Sequence, residues 1–79
     1  AVPELVVLDP PRRGLGGALV KGLLAVRPGW IVYVSCDGGS FSRDAARLAE
    51  RYALTELRGY DLFPQTHHLE LVGVFRRRA

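Results

Sequence analysis

Two short apolar runs along the chain predict β-strands. Glu4 to Leu8 reads E-L-V-V-L and stops at Asp9-Pro10-Pro11, and Trp30 to Val34 reads W-I-V-Y-V and leads into a polar loop, Ser35 to Gly39. Both runs are rich in β-branched residues and lack an alternating polar pattern. That combination indicates strands that are buried on both faces, as in a parallel sheet.

Two helices are predicted from apolar residues at helical spacing. In the first, between Leu15 and Val26, the spaced residues are Leu15, Ala18, Leu19, Leu23 and Val26, and Arg27-Pro28-Gly29 supplies the stop. The second is predicted to begin at Ser40 or Ser42, since either side chain can cap a helix. Its apolar positions are Ala45, Leu48, Ala49 and Tyr52.

Two further strands, Leu54 to Asp61 and Leu69 to Phe75, are predicted to form an antiparallel pair around a turn at Pro64. The strand-helix-strand-helix order before them implies parallel strands with right-handed crossovers. We therefore expect an α/β fold with a mostly parallel sheet that ends in an antiparallel pair. Ligands bind such sheets at the carboxyl ends of the strands, where Asp9 and Cys36 fall.

The composition is that of a folded segment without a membrane span. The chain has 79 residues, of which 48% are hydrophobic and 24% charged. No apolar run approaches the roughly 18 residues that a spanning helix needs, and a chain this short supports at most one domain. Because the chain contains no Met, Ala1 is not expected to be a translation start, and we interpret the chain as a fragment.

The charge permits a nucleic-acid partner. Eleven Lys and Arg against eight Asp and Glu give a net charge of +3, and every cation except Lys21 is Arg, which suits bidentate contact with phosphate. A solvated surface explains the charge equally well, and we interpret Arg76-Arg77-Arg78 as an exposed strand end. The single cysteine cannot form an internal disulfide, which fits a reducing cytosol and predicts a cytoplasmic location.

Cys36 is the candidate nucleophile. It follows a predicted strand and precedes a predicted helix, where free amides and the helix dipole favour a thiolate. The polar, flexible residues from Asp37 to Ser40 predict an open loop around it. A small buried structural cysteine is the alternative interpretation. A cysteine-phosphatase loop is disfavoured because six residues, instead of five, separate Cys36 from Arg43, and the extra residue turns the arginine by about 100°.

Two other loops concentrate polar groups. The loop from Asp9 to Gly14 contains two prolines, which stiffen its backbone. It also carries the acceptor oxygens of Asp9 and the donor groups of Arg12. Phe63 to Glu70 places a proline, two histidines and a glutamate just before the last strand. Adjacent histidines on a strand point to opposite faces, and the chain has no further His or Cys cluster, so no metal site is predicted.

Three ordered motifs resemble the S-adenosylmethionine-dependent RNA uridine C5-methyltransferases that act on tRNA and ribosomal RNA. They are L-D-P-P-R-x-G at Leu8 to Gly14, Y-V-S-C at Tyr33 to Cys36 continuing to Arg43-Asp44, and F-P-x-T-H-H-x-E at Phe63 to Glu70. Each motif is moderately specific, and their order makes the match strong. One departure is Gly38, which stands where the family usually has Pro and predicts a looser nucleophile loop.

The resemblance implies the C-terminal part of a class I, Rossmann-like methyltransferase domain and a covalent mechanism. Cys36 would add to carbon 6 of uracil, and Glu70 would remove the proton from carbon 5. Asp9 would help to hold the cofactor, S-adenosylmethionine. Arg12 and His68 would bind the substrate uridine in rRNA or tRNA, with Arg12 donating to the carbonyl where enolate charge develops.

Two rival interpretations stay open. An RNA cytosine C5-methyltransferase also uses a thiol on carbon 6, but it usually carries a second Cys in the loop where this chain has Arg12-Arg13. The other rival is a non-catalytic or RNA-contacting remnant, because no glycine-rich cofactor loop follows an early strand. For these 79 residues alone we expect no detectable S-adenosylmethionine binding, and we expect self-association through an unpaired sheet edge.

Overall fold

Alternating strands and helices lead into a long strand pair in the computed structural model, which describes residues 4–63 and 68–78, with side chains for 4–61 and 70–78. In chain order the elements are β1 (Leu5–Leu8), α1 (Gly17–Val26), β2 (Trp30–Ser35), α2 (Gly38–Leu48), β3 (Tyr52–Phe63) and β4 (His68–Arg77). All six predicted elements are present. The predicted turn at Pro64 lies outside the described residues.

The four strands form one sheet in the order β1-β2-β4-β3. β1 and β2 are parallel, whereas β4 runs antiparallel to both β2 and β3. The predicted antiparallel pair is therefore confirmed, but the described sheet is mixed and does not confirm a mostly parallel one. The reason is that β4 inserts between β2 and β3, so that it forms two antiparallel pairings where the prediction counted one.

The beginning of α2 differs from the prediction. Its N-cap is Asp37, whose carboxylate accepts a hydrogen bond from the amide of Ser40, so neither Ser40 nor Ser42 is the cap. Aspartate is as good a cap as serine, and it lies three residues before the amide it binds. The helix ends at Leu48 with Ala49 as its C-cap, so the prediction that it continues to Tyr52 is wrong. Tyr52 begins β3, and its hydroxyl donates to the carbonyl of Pro28 over 2.5 Å.

The core lies between the sheet and the two helices, which contact each other. Tyr33 and Phe41 meet edge to face with ring centroids 5.2 Å apart, and Phe41 also contacts Phe75. β4 comes close to this cluster at Gly73, where a Cβ would lie 2.7 Å from the Phe41 ring. The buried apolar residues of the cluster are Val20, Ile31, Tyr33, Phe41, Leu48, Tyr52 and Phe75.

The prediction that β1 is buried on both faces is wrong for the described part of the chain. Leu5 and Val7 are 53% and 64% exposed, and Leu19 and Val26 of α1 are also exposed. Leu5 and Val7 alternate with Val6 and Leu8, and Leu8 packs against the core, so Leu5 and Val7 share the face that no described element covers. β1 is also the edge strand of the described sheet and pairs only with β2. In the described residues, no helix is long and apolar enough to span a membrane.

Candidate active site

Cys36 lies in a short, well-bonded turn between β2 and α2. Ser35 is buried, and its hydroxyl donates to the carbonyl of Asp37 over 2.9 Å while accepting from the amide of Asp37 over 3.0 Å. These two bonds bracket Cys36, which is partly exposed and carries a free thiol. The bonds restrain the backbone on both sides of Cys36.

Asp37 keeps its charge to unusually low pH. Its carboxylate accepts from both the hydroxyl and the amide of Ser40, over 2.7 and 3.0 Å. These bonds lower the pKa of Asp37, and the nearby guanidinium groups of Arg43 and Arg12 lower it further. The helix cap beside the thiol is therefore ionised throughout the neutral range.

Cys36 and Glu70 flank the last residue pair between β2 and β4. That pair is Ser35 and Leu71. Cys36 directly follows Ser35 beyond the end of β2, and Glu70 directly precedes Leu71 in β4, so the antiparallel pairing brings both to the same end of the two strands. Glu70 also lies opposite Tyr60 of β3, and its side chain is partly exposed. The sheet thus brings a thiol and a carboxyl group to the same end of the sheet, the carboxyl end of β2.

The loop of the first motif, Leu8 to Gly14, leaves β1 at the same end of the sheet, because β1 and β2 are parallel and Leu8 lies opposite Tyr33. Asp9 and Arg12 are both exposed. A shallow cavity of about 280 Å³ lies on this loop, and its lining includes Leu8, Asp9, Gly14 and Leu15. Asp9 and Arg13 therefore border an accessible concave surface, and the exposed Arg12 precedes Arg13 in the same loop.

Helix α2 holds this loop in place through buried polar groups. The Ser40 hydroxyl shares its single proton between Asp37 Oδ2 and the carbonyl of Arg12, and the amide of Leu15 donates to Asp44 Oδ2 over 2.8 Å. Gly14 makes the approach possible, since its φ is +83° and a Cβ there would lie 2.7 Å from Asp44 Oδ2. The glycine of the first motif is thus required by both conformation and space.

Asp44 also binds the sheet. Tyr33, which is fully buried, donates its hydroxyl to Asp44 Oδ2 over 2.5 Å, and Arg47 lies 3.5 Å from Oδ1. Burial raises the pKa of Tyr33 well above its usual value, and the bond to Asp44 raises it further. The hydroxyl therefore stays protonated and remains a donor. A single carboxyl group links the loop, α2 and β2.

The structure brings four of the five predicted site residues, Cys36, Glu70, Asp9 and Arg12, to one edge of the sheet. The fifth, His68, begins β4 opposite Phe63, and its side chain lies outside the described residues. Their predicted roles are not tested by this arrangement.

Sequence reasoning missed the groups that hold the loops: Ser35, Asp37, Ser40 and Asp44. The sequence contains a signal for one of them. Asp44 falls on the apolar stripe of α2 with Phe41 and Leu48, a position that has to be buried, and a buried carboxyl group needs partners.

Known proteins that resemble this chain are RNA methyltransferases. The sequence profile of the family described as tRNA (Uracil-5-)-methyltransferase matches residues 2–79. An uncharacterized RNA methyltransferase of Lactococcus lactis is 43% identical over 77 residues, covering 96% of this chain and 17% of that protein. One of Staphylococcus aureus is 45% identical over 73 residues, covering 92% of this chain and 16% of its own length.

A solved structure shares the fold. The tRNA (uracil-54, C5)-methyltransferase of Pyrococcus abyssi, in complex with S-adenosyl-L-homocysteine, superposes with a TM-score of 0.82 at 46% identity. The match covers 91% of this chain and 18% of that one. The chain therefore spans less than a fifth of the length of the relatives it matches.

Proposed function

The chain belongs to the tRNA (uracil-5-)-methyltransferase family, and from this premise we propose that the full-length protein transfers a methyl group to carbon 5 of a uridine in RNA. The observation that carries the proposal is that Cys36 and Glu70 flank the last residue pair between β2 and β4, at the strand end from which the loop with Asp9 and Arg12 also leaves. A tRNA substrate is favoured over rRNA because the family and the Pyrococcus abyssi enzyme are both named as methyltransferases of tRNA.

Cys36 is proposed as the nucleophile. Carbon 5 of uracil is too weak a nucleophile to accept a methyl group directly, so the thiolate first adds to carbon 6. The new S–C bond pushes the electron pair of the C5–C6 double bond towards the carbonyl at carbon 4, and an enolate forms. The accessible thiol, bracketed by Ser35 and Asp37, suits an attack that requires a fixed sulfur position.

Glu70 is proposed as the base of the second step. After methylation, carbon 5 still carries its original proton, and the Glu70 carboxylate accepts that proton. The released electron pair re-forms the C5–C6 double bond and expels the Cys36 thiolate, which restores the enzyme. In support, the partly exposed carboxyl group lies on β4, one residue before the partner of Ser35, and Ser35 directly precedes the nucleophile.

Arg12 and His68 are proposed to bind the uridine. The exposed guanidinium of Arg12 is a rigid fork of donors on a proline-stiffened loop, and it suits the uracil carbonyl where negative charge develops. For His68 the support is the resemblance of the Phe63 to Glu70 motif alone.

The residues present fit one side of a cofactor site. Asp9 offers an exposed carboxylate at the carboxyl end of β1, next to the concave surface of the loop. This is the usual ligand position in sheets of this kind, and it suits hydrogen-bond donors of S-adenosylmethionine. When bound, the cofactor supplies the methyl group that carbon 5 receives. Asp9 would orient it towards the edge where Cys36 lies.

Methylation of matched transcripts tests the proposal against the cytosine rival. The full-length protein is incubated with S-adenosylmethionine and with RNA that carries either uridine or cytidine at the same site, and nucleosides are identified by mass spectrometry. We expect 5-methyluridine from the first transcript and no product from the second. A 5-methylcytidine product would establish the rival, and no product from either transcript would refute both.

The 79 residues alone are proposed to be the C-terminal part of a class I methyltransferase domain and to lack activity. In support, the sequence contains no glycine-rich cofactor loop, and β1 is an exposed apolar edge in the described sheet. Such edges accept further strands, so the isolated chain should self-associate. Calorimetry with S-adenosylmethionine should detect no binding, and sedimentation should show oligomers. Tight cofactor binding by a monomer would contradict this assignment.

A further inference from the structure

Ser40 contacts both loops of the candidate site. On one side its hydroxyl donates to the carbonyl of Arg12. On the other side the same hydroxyl lies 2.7 Å from Asp37 Oδ2, and its amide binds that oxygen as well. Asp37 directly follows Cys36, so one buried side chain joins the loop of the nucleophile to the loop of Arg12.

Asp44 makes the second attachment, one helical turn further along α2. Its Oδ2 accepts from the amide of Leu15 at the end of the Arg12 loop, and from the hydroxyl of Tyr33 in β2. The same oxygen atom accepts both hydrogen bonds. The loop is therefore fastened at two points, Arg12 and Leu15, which lie on either side of Gly14.

Both attachments are buried, with Ser40 and Asp44 each 2% exposed. In a low-dielectric interior, hydrogen bonds to such groups are strong, and leaving a partner unpaired is unfavourable. Water cannot replace these bonds without opening the contact between α2 and the loop. The distance between the two loops is thus set by the helix and not by the loops themselves.

We propose that Ser40 and Asp44 are positioning residues that fix Asp9 and Arg12 relative to Cys36. The inference rests on the proposed function, because it assigns these buried groups a part in methyl transfer. Neither residue touches the substrate. They act by holding the Arg12 guanidinium over the carbonyl that gains charge, and a displacement of about 1 Å in such a geometry can slow catalysis about 100-fold.

Ser40→Ala in the full-length protein tests this inference, with Ser42→Ala as the matched control on the exposed face of the same helix. We expect kcat to fall about 10- to 100-fold in Ser40→Ala with KM for RNA little changed. Ser42→Ala should keep the wild-type kcat. Ser40→Thr, which retains the hydroxyl, should recover most of the rate.

Tyr33→Phe separates positioning from stability. It removes a buried hydrogen bond to Asp44 but leaves both attachments of the loop in place. We expect it to lower the melting temperature at least as much as Ser40→Ala while keeping kcat. Equal losses of kcat in the two variants would show that stability alone is responsible, and wild-type kcat in Ser40→Ala would also overturn the inference.

Asp44→Asn provides a second test that does not depend on Ser40. The amide oxygen of Asn can still accept from the amide of Leu15, as Oδ2 does, so kcat should be retained and Asp44→Ala should lose it. A loss of kcat in Asp44→Asn equal to that in Asp44→Ala would contradict positioning through the Leu15 bond. If the unmodified protein makes no 5-methyluridine, the proposed function fails instead.

Discussion

Gly14, the glycine of the first motif, should be hard to replace because it meets two separate constraints. Its φ of +83° lies in the left-handed region, where a side chain costs about 1–3 kcal/mol. A Cβ would also lie 2.7 Å from Asp44 Oδ2 and 3.1 Å from Ser40 Cβ, both of them buried. Gly14→Ala must therefore push the carboxyl group away from Leu15 and Tyr33.

Gly16→Ala is the matched control. Gly16 has almost the same φ, +82°, but nothing lies within 4 Å of its Cβ position. The control should therefore show only the backbone strain. Gly14→Ala should show that strain plus the loss of buried hydrogen bonds at Asp44, about 1–3 kcal/mol more.

Hydrogen exchange on the full-length protein, followed by mass spectrometry, measures the difference. In Gly14→Ala we expect faster exchange in peptides from both the Asp9 to Gly16 loop and α2, because the contact between them is broken. In Gly16→Ala the increase should be confined to the loop and the start of α1. Indistinguishable exchange in the two variants would refute the argument that α2 holds the loop.

Three other changes give independent checks. Because folding lowers the pKa of Asp37, its carboxylate stabilises the protein above the unfolded-state pKa, and this contribution is lost as pH falls through the folded-state pKa. Asp37→Asn should therefore flatten the acid limb of a curve of stability against pH. An unchanged limb would contradict the role of Ser40 as the partner of Asp37. Gly73→Ala should lower stability by about 1–3 kcal/mol, measured by urea unfolding, since its Cβ would lie 2.7 Å from the Phe41 ring. Gly22→Ala, in the middle of α1 with nothing within 4 Å, should instead raise stability by about 0.5–1 kcal/mol, and a loss there would show that α1 is packed differently.

The order of elements could be predicted from the sequence because each one is encoded locally. The apolar runs at Glu4 to Leu8 and Trp30 to Val34 each contain a strand, and the helical spacing before Val26 contains α1. The position of β4 could not be predicted in this way. Strand order depends on contacts between residues far apart in the chain, and β4 crosses back to pair with β2 as well as with β3.

The candidate site was predictable as far as its exposed polar residues. Cys36, Asp9 and Arg12 follow strand ends, and the parallel pairing of β1 and β2 places strand ends together. The supporting groups were harder to find, because a buried Ser40 looks in the sequence like an ordinary polar helix position, and the place of Asp44 on the apolar stripe of α2 indicates burial without naming its partners. Only the fold shows that both side chains meet the Arg12 loop.

Trapping with RNA that contains 5-fluorouridine tests the central claim most directly. With fluorine in place of hydrogen on carbon 5, no proton is available there for a base to remove, so the adduct between Cys36 and carbon 6 should persist after methyl transfer. We expect the full-length protein to form a covalent complex that maps by peptide mass spectrometry to Cys36, the only cysteine of the chain, and Cys36→Ala to form none. An adduct that persists in Cys36→Ala would contradict the account.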